Sequence, residues 1–249
     1  MCGIFAIFFS SLDAPSLRKE LIKCSSELRH RGPDWSGYMV LESSANTNHS
    51  NGSGGTPPLN HGIAHERLAI MDPESGSQPL VSQHGNVIVA ANGEIYNYKE
   101  IYASLATPYT PSTGSDCESI LPLWKEYGAT PELPSKLRGM FSVILYDKST
   151  DTYFLFRDHV GKTPLYIGWG NDGSVYVASE MKAIVKECTK FQNFPPGHCY
   201  TNKGPKAGEF VRWYTPNWAP EMKPGLPPPR GTFQEVSERE RERERERER

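Results

Sequence analysis

The sequence predicts an α+β fold in which antiparallel β-sheets stack on each other and helices cover the outside. Short apolar runs of strand length recur along the chain, and turn residues separate them. Helical patterns are few and do not alternate regularly with the strands, which argues against a doubly wound parallel sheet. A chain of 249 residues can bury a large core without disulfides or a metal.

The predicted strands are apolar runs bounded by turn residues. The first, residues 3–9, is continuously apolar, as expected of a strand covered on both faces. Further strands are predicted at residues 37–41, 62–70, 86–91, 140–147, 153–157, 165–169 and 174–178.

The predicted helices are shorter and fewer. Apolar side chains recur at helical spacing from Leu17 to Leu28, which predicts an amphipathic helix over residues 16–28. A short helix is predicted at residues 98–105 and a helical turn at 180–185.

A third helix is predicted to begin at Ser115. Ser115 and Glu118 have the S-x-x-E spacing of a capping box, which would open a helix toward residue 127. Pro122 lies inside that helix and should kink or shorten it, because proline lacks an N–H group.

Two segments have the composition of surface chain. Residues 42–60 are rich in Ser, Asn, Gly and Pro and predict a long mobile loop. Four prolines fall within residues 224–230, and a Glu-Arg repeat follows them. We therefore expect a folded domain over residues 1–218 and a low-complexity, disordered tail over residues 219–249.

The net charge and the cysteine content argue against several kinds of partner and site. The formal net charge of −2 gives no electrostatic reason to expect a nucleic acid or an anionic membrane as partner. The five cysteines form no CxxC pair, so neither a disulfide framework nor a metal site is indicated. Free thiols fit a cytoplasmic protein. The apolar run at residues 4–9 is too short for a signal sequence or a membrane span.

Cys2 is the first candidate catalytic residue. If Met1 is removed, Cys2 carries both a thiol, with a pKa of ~8.5, and a free α-amine, with a pKa of ~8. One residue then supplies a nucleophile and its general base, so no histidine or aspartate is needed. The alternative interpretation is that Cys2 is a small buried core residue.

Three further positions offer groups that suit an amino-acid substrate. Asn92 and Gly93 follow a predicted strand and present a side-chain amide and an unobstructed backbone N–H, although Asn-Gly is also typical of a tight turn. Arg67 lies in an otherwise apolar strand and needs a carboxylate partner, from a ligand or from an internal salt bridge. Asp116 begins a helix, either as a cap or as a group that binds an ammonium.

Together these residues describe a pocket for an α-amino acid. Arg67 would hold the α-carboxylate and Asp116 the α-amine. Asn92 and Gly93 would face the side-chain carbonyl, which Cys2 would attack.

Several motifs resemble one family. They are MCGIFAIF, RHRGPDWSG, HERLAIMDP, NGEIYN, TGSDCE, GMFSVILYD, RDHVGKTPLY, ASEMKAI and FPPGH, in this order. They resemble the N-terminal glutaminase domain of glutamine-hydrolysing asparagine synthetases, a class II glutamine amidotransferase domain. The resemblance covers residues 1–218 and implies the N-terminal nucleophile hydrolase fold, a four-layer αββα sandwich.

The resemblance implies roles for individual residues. Cys2 matches the nucleophile with its α-amine base, and Asn92 and Gly93 match the oxyanion hole. His30 and Arg31 match a segment that we interpret as structural or interdomain. No metal is implied. The residues that match the glutamine-binding positions are Arg67, Leu68, Ala69, Ile70, Met71, Asn92, Gly93, Glu94 and Asp116.

The resemblance also implies a larger reaction. The glutaminase domain would release ammonia from L-glutamine, and a synthetase domain or partner chain would use it for ATP-dependent amidation of aspartate to asparagine. ATP and Mg belong to that synthetase domain, whose Ser-Gly-Gly-Leu-Asp-Ser loop does not occur in this sequence. No cofactor is expected in this chain, and a homodimer is one assembly it allows. The alternative is a truncated or regulatory, non-catalytic fragment that binds a synthetase partner.

Overall fold

The computed structural model describes residues 1–42, 59–70, 72 and 74–216. Residues Met1–Tyr214 form one compact unit. The described residues contain twelve strands: β1 (Gly3–Ser10), β2 (Trp35–Glu42), β3 (Asn60–Arg67), β4 (Leu80–Val81), β5 (Val87–Ile95), β6 (Gly139–Asp147), β7 (Thr152–Arg157), β8 (Tyr166–Trp169), β9 (Val175–Ala178), β10 (Lys190–Asn193), β11 (His198–Thr201) and β12 (Val211–Arg212).

The strands form two six-stranded sheets. The first sheet has the order β10-β8-β9-β1-β3-β2, and the second has the order β12-β11-β7-β6-β5-β4. The neighbouring strands pair antiparallel, as β1 does with β3 and β5 with β6. Both the stacked sheets and the antiparallel pairing were predicted from the sequence.

Four α-helices lie outside the sheets in the described residues: α1 (Ala14–Ser26), α2 (Tyr98–Ser104), α3 (Ile120–Tyr127) and α4 (Glu132–Ser135). Three 3₁₀ turns are also present in the described part of the chain: Arg29–Arg31, Asp116–Ser119 and Met181–Ala183. None of the helices in this part of the chain is long and apolar enough to cross a membrane.

The strand β1 shows how the layers are built. Its alternate side chains point to opposite faces. Ile4 and Phe8 pack into the core between the two sheets, whereas Phe5 and Ile7 pack against α1. A third core lies between the outer face of the second sheet and α2, α3 and α4. These layers make the four-layer αββα sandwich that the resemblance implied.

The first helix starts earlier than predicted. It begins at Ala14 because the Asp13 carboxylate caps it and accepts a hydrogen bond from the Ser16 N–H at 3.1 Å. Pro15 is tolerated in the first turn, where an N–H has no partner inside the helix.

The strand β5 runs further than predicted, and the tight-turn alternative at Asn92 and Gly93 is wrong. Both residues pair with β6, Asn92 opposite Ser142 and Gly93 opposite Phe141. Gly93 has a φ of +149°, and a Cβ added there would lie 1.9 Å from the carbonyl oxygen of Met140. Only glycine allows the two strands to approach so closely.

The strand β3 is shorter and more polar than predicted. It ends at Arg67, so residues 68–70 lie outside the sheet. It is not otherwise apolar, because His61, His65 and Glu66 are fully buried in it. The Glu66 carboxylate accepts hydrogen bonds from the hydroxyls of Ser25 and Tyr38, and Arg29 Nη1 lies 3.9 Å from its Oε2.

The third helix does not use the predicted capping box. The Ser115 side chain makes no capping hydrogen bond. The Glu118 carboxylate instead accepts the N–H groups of Ser112 and Thr113, both at 2.7 Å. Pro122 lies in the first turn of α3, after a 3₁₀ turn, where its missing N–H leaves no α-helical bond unmade.

Some elements were not predicted. These are α4 and the strands β4, β10, β11 and β12, which contain between two and four residues each. Such short elements give too few residues for a periodic pattern. Most of the predicted loop at 42–60 and all of the predicted tail at 219–249 lie outside the described residues.

Candidate active site

The candidate site is a cavity of about 100 Å³ where the N-terminus meets the ends of β3 and β5. Cys2 faces it from the start of the first sheet, and Gly93 faces it from the second. The lining residues are Met1, Cys2, Arg67, Leu68, Ile70, Gly76, Gln78, Ala91, Gly93, Glu94, Ser115, Asp116, Cys117 and Met140.

The Cys2 thiol is half-buried and contacts the backbone of Leu68. The Leu68 N–H donates to Sγ at 3.3 Å, and Sγ lies 3.6 Å from the Leu68 carbonyl oxygen. Burial raises the pKa of the Cys2 thiol, while the Leu68 N–H, the positive amino terminus and the guanidinium groups of Arg67 and Arg31 oppose that rise. The net shift is upward, so the resting thiol is protonated and needs a base.

The turn Arg29–Arg31 fixes the backbone at Cys2. Arg31 Nε donates to the Cys2 carbonyl oxygen at 2.9 Å, and its Nη1 donates to Glu180 Oε1 at 2.8 Å. His30 Nε2 lies 3.0 Å from the same Glu180 oxygen. These contacts tie the segment to Cys2 and Glu180; the structural or interdomain role of the segment stays a prediction.

The Asn92 side chain is fully buried in β5. Neither its amide nitrogen nor its amide oxygen has a hydrogen-bond partner among the described residues. A buried amide without a partner costs about 1–3 kcal/mol, so its donor and acceptor are held free at a cost in stability. The neighbouring Gly93 lines the cavity.

Arg67 lies at the end of β3, and its side chain reaches the cavity wall. Its Nη2 donates to the carbonyl oxygen of Asp72 at 2.5 Å. Leu68 and Ile70 also line the cavity, whereas the N–H of Ala69 donates to Asp34 Oδ2 at 2.9 Å and Ala69 does not line it. Met71 lies outside the described residues.

Asp116 and Glu94 bring two carboxyl groups to the opposite wall. Asp116 Oδ2 accepts the Ile95 N–H at 2.5 Å. Burial raises the pKa of the Asp116 carboxyl; backbone N–H groups oppose the rise and the nearby Glu94 charge adds to it. Two neighbouring carboxylates favour a bound cation, because its positive charge offsets their mutual repulsion and the cost of burying their charges.

Besides Met1, sequence reasoning missed six residues of the cavity wall: Gly76, Gln78, Ala91, Ser115, Cys117 and Met140. Gln78 has a defined role, since its Oε1 accepts the Ala91 N–H at 2.7 Å. Ser115 and Cys117 lie inside the TGSDCE motif and Met140 inside GMFSVILYD, so their motifs were recognised but their place in the cavity was not. Gln78 follows the HERLAIMDP motif closely, and only tertiary packing brings it to the site.

Within the described residues, Glu20, Cys24 and Glu187 place possible metal-ligand atoms within 4.8 Å of one another. The Lys23 ammonium already contacts both carboxylates, at 2.9 Å to Glu20 and 2.8 Å to Glu187. That charge occupies the oxygens a cation would need, and none of these residues lines the cavity.

A half-buried thiol near the amino terminus, between stacked antiparallel sheets, is the arrangement of an N-terminal nucleophile hydrolase. The chain belongs to the family described as the glutamine amidotransferase domain, which matches residues 1–196. The resemblance drawn from the motifs is therefore confirmed.

The curated relatives have more specific names than the family. The glutamine-hydrolysing asparagine synthetase of Sandersonia aurantiaca is 43% identical over 91% of this chain and 39% of its own length. The Zea mays protein of the same name is 44% identical over 91% of this chain and 35% of its own length. The chain thus spans between a third and two-fifths of these relatives.

A solved structure has the same fold. The glutamine phosphoribosylpyrophosphate amidotransferase of B. subtilis, solved with ADP and GMP, aligns with a TM-score of 0.64. The alignment covers 86% of this chain and 50% of that one, at 23% identity. At this identity the likeness establishes the fold alone.

Proposed function

We propose that this domain hydrolyses L-glutamine to glutamate and ammonia through a γ-glutamyl thioester on Cys2. The observation that carries the proposal is the buried Asn92 amide, which has no partner among the described residues, in a domain whose cavity is lined by the Cys2 thiol. Asn92 is not among the residues that line the cavity, but its neighbour Gly93 is, and a buried amide without a partner suits the oxyanion of an acyl transfer. Family membership supports the same chemistry.

The substrate would be held at its two charged ends. Arg67 binds the α-carboxylate, and the Asp116 and Glu94 carboxylates bind the α-ammonium. Leu68 and Ile70 line the path of the side chain between them. Holding both ends places the γ-carboxamide against Cys2, which converts a bimolecular attack into an oriented one.

The reaction follows from the state of the Cys2 thiol. The α-amine of Cys2 takes the thiol proton, and the thiolate forms a bond to the γ-carbon of glutamine. Asn92 and the Gly93 N–H hold the oxyanion. As the carbon–nitrogen bond breaks, the α-ammonium returns the proton to the leaving nitrogen, and ammonia departs. Water, deprotonated by the same amine, then hydrolyses the thioester to glutamate.

Removal of Met1 is a condition of this mechanism. Met1 lines the cavity, and its peptide bond blocks the α-amine of Cys2. A small side chain at position two favours its removal. A protein that retains Met1 would fit the alternative role, a module that binds a synthetase partner without turnover.

The proposal extends to the longer relatives. We infer that the ammonia serves a synthetase domain, which uses ATP and Mg to convert aspartate to asparagine in the cytoplasm. The names of the relatives support the link between glutamine hydrolysis and asparagine synthesis.

The test is ammonia release from L-glutamine by purified protein, with its N-terminus read by mass spectrometry. We expect Met1 to be absent and Cys2→Ala to abolish release. Cys117→Ala is the matched control, because this thiol also lines the cavity but carries no α-amine. Equal release by wild type and Cys2→Ala would disprove the nucleophile assignment.

A further inference from the structure

His65 lies on β3, next to the edge strand β2 of the first sheet, and faces the second sheet. In β3 it pairs with Ile4 on one side and Gly37 on the other. Ile63, two residues earlier, packs into the core between the sheets, and strand alternation directs His65 to the same face. Its side chain is fully buried.

Within the described residues the His65 side chain makes one hydrogen bond, and this bond reaches across to the second sheet. Nε2 lies 3.0 Å from the carbonyl oxygen of Ala91 in β5. A carbonyl only accepts, so Nε2 carries the proton. Burial lowers the pKa of His65 to about 4, which keeps the ring neutral at neutral pH. Nδ1 has no partner among the described residues.

Ala91 is the residue directly before Asn92, and side chains hold both of its polar groups. The Ala91 N–H donates to Gln78 Oε1 at 2.7 Å, and its carbonyl accepts from His65. The strand β4 pairs with β5 only at Val89 and Ile88, so its backbone does not reach this point. Two side chains therefore replace the missing ladder bonds.

The orientation of the Asn92 side-chain amide depends on the position of the Ala91 backbone. No hydrogen bond orients the side chain within the described residues, because its nitrogen and oxygen are both without partners. Its direction is set by packing and by the peptide that joins it to Ala91. A shift of that peptide moves the amide relative to the Cys2 thiol.

We propose that His65 is a positioning residue for the oxyanion hole: its Nε2–H fixes the Ala91 carbonyl and thereby aims the Asn92 amide. This rests on the proposed glutamine hydrolysis. His65 touches neither substrate nor reacting atoms; it acts through the backbone of β5. Its loss should affect the transition state more than the binding of glutamine, since the oxyanion exists only there.

Three variants of His65 separate positioning from packing. His65→Leu removes the donor. His65→Gln places an amide N–H near the position of Nε2, and His65→Asn places one nearer that of Nδ1. For each we would measure kcat and KM for glutamine, melting temperature, and the number of sites that a chloroketone analogue of glutamine alkylates.

We expect His65→Leu to lower kcat per alkylated site by about 100-fold with KM within about twofold, since a small misplacement has this effect. His65→Gln should recover most of kcat, and His65→Asn should not. Unchanged kcat in His65→Leu, equal rates for Gln and Asn, or a loss explained wholly by fewer alkylated sites would overturn the proposal.

A second measurement does not need turnover. The side-chain amide of Asn92 should give one NMR resonance in the wild type and in His65→Gln, and several or broadened ones in His65→Leu. Identical Asn92 resonances in all three would contradict the positioning role. Absence of ammonia release by the wild type would instead disprove the hydrolase proposal, and the NMR comparison would still decide the role of His65.

Discussion

The two halves of the candidate site are built differently. The reacting half, Cys2 with Asn92 and Gly93, lies on or directly beside β1 and β5, the strands that face each other across the central core. The half that would bind the ends of glutamine, Arg67 and Asp116, lies where β3 ends and in a 3₁₀ turn. Sheet pairing with β6 places Asn92 and Gly93, and side-chain hydrogen bonds support the neighbouring backbone, whereas side chains hold much of the second half.

Asp72 is the main link inside the second half. Its Oδ2 accepts the Gly114 N–H at 2.7 Å, and its Oδ1 accepts the Ser75 N–H at 3.1 Å. Its backbone carbonyl accepts from Arg67. Asp72 thus joins the segment after β3 to the turn before Asp116. The residues proposed to react thus lie on or beside paired strands, whereas one carboxylate connects the segments that follow Arg67 and precede Asp116.

Among these substitutions, loss of the proposed oxyanion donor should have the largest effect on activity. Asn92→Ala should lower kcat by about 10²- to 10³-fold and change KM little, because the amide acts only on the transition state. Steady-state ammonia release measures both constants. Asn86→Ala, an exposed residue just before the same strand, is the control and should behave as wild type. A rise in KM with normal kcat would place Asn92 in the binding half instead.

Asp116→Asn should change mainly KM, whereas Asn92→Ala should change mainly kcat. Charge-assisted hydrogen bonds contribute about 1.5–3 kcal/mol, so KM should rise roughly 10- to 100-fold with a smaller change in kcat. Burial raises the pKa of this carboxyl above its ordinary 3.8, so the folded domain holds the proton more tightly than the unfolded chain. Stability therefore falls as the pH rises through these two values.

The same substitution should raise the melting temperature at neutral pH, because a neutral amide removes the cost of a buried charge. Thermal unfolding with and without glutamine measures this. Asp158→Asn is the control for binding: that buried carboxyl also accepts backbone N–H groups but does not line the cavity. Its KM should be unchanged. An Asp116→Asn protein with normal KM and a lower melting temperature would contradict the ammonium-binding role.

Asp72→Ala should have the smallest effect of these substitutions. It should weaken glutamine binding and leave the reaction step unchanged. Without its carboxylate the two loops lose their hydrogen bonds to each other, so KM should rise about two- to fivefold while kcat stays the same. Asp13→Ala removes an equivalent bond at the start of α1, far from the cavity, and should leave KM unchanged. A fall in kcat alone would show that the loops also shape the reacting half.

The pKa of Asp72 gives a pH test of the same link. Hydrogen bonds from Ser75 and Gly114 lower the pKa of this carboxyl below its ordinary 3.8. Its stabilising effect is therefore present above that value and is lost as the pH falls through the lower, folded one. Wild type and Asp72→Ala should differ in melting temperature at neutral pH and converge in strong acid.

The residues of the proposed reacting half were easier to select from the sequence than the side chains that support them. Cys2 is recognisable because its position in the chain is itself the chemical signal. The path of β5 through Asn92 and Gly93 was not predicted, because Asn-Gly usually turns a hairpin and only the pairing with β6 overrides that preference. The strand residue His65 and the loop residue Gln78 act through contacts 26 and 13 residues away, which no local pattern reports.

The candidate binding residues Arg67 and Asp116 were selected for the chemistry of their side chains, but the local structure around them differs from the one predicted. Arg67 was expected inside a strand that runs to residue 70, yet the strand ends at Arg67 itself. Asp116 was expected at a capped helix, yet the Glu118 carboxylate binds the preceding loop instead of closing the cap. Both differences arise from side chain to backbone hydrogen bonds, which compete with regular structure and have no periodic signature.

The central claim, that Cys2 carries the acyl group, has a direct test. The protein is mixed with L-glutamine, quenched in acid within one turnover, and its N-terminal peptide is weighed by mass spectrometry. We predict a peptide that begins at Cys2, lacks Met1 and carries a γ-glutamyl group, which disappears in Cys2→Ala. An active protein whose N-terminal peptide retains Met1, or never carries the group while ammonia is released, would contradict the account.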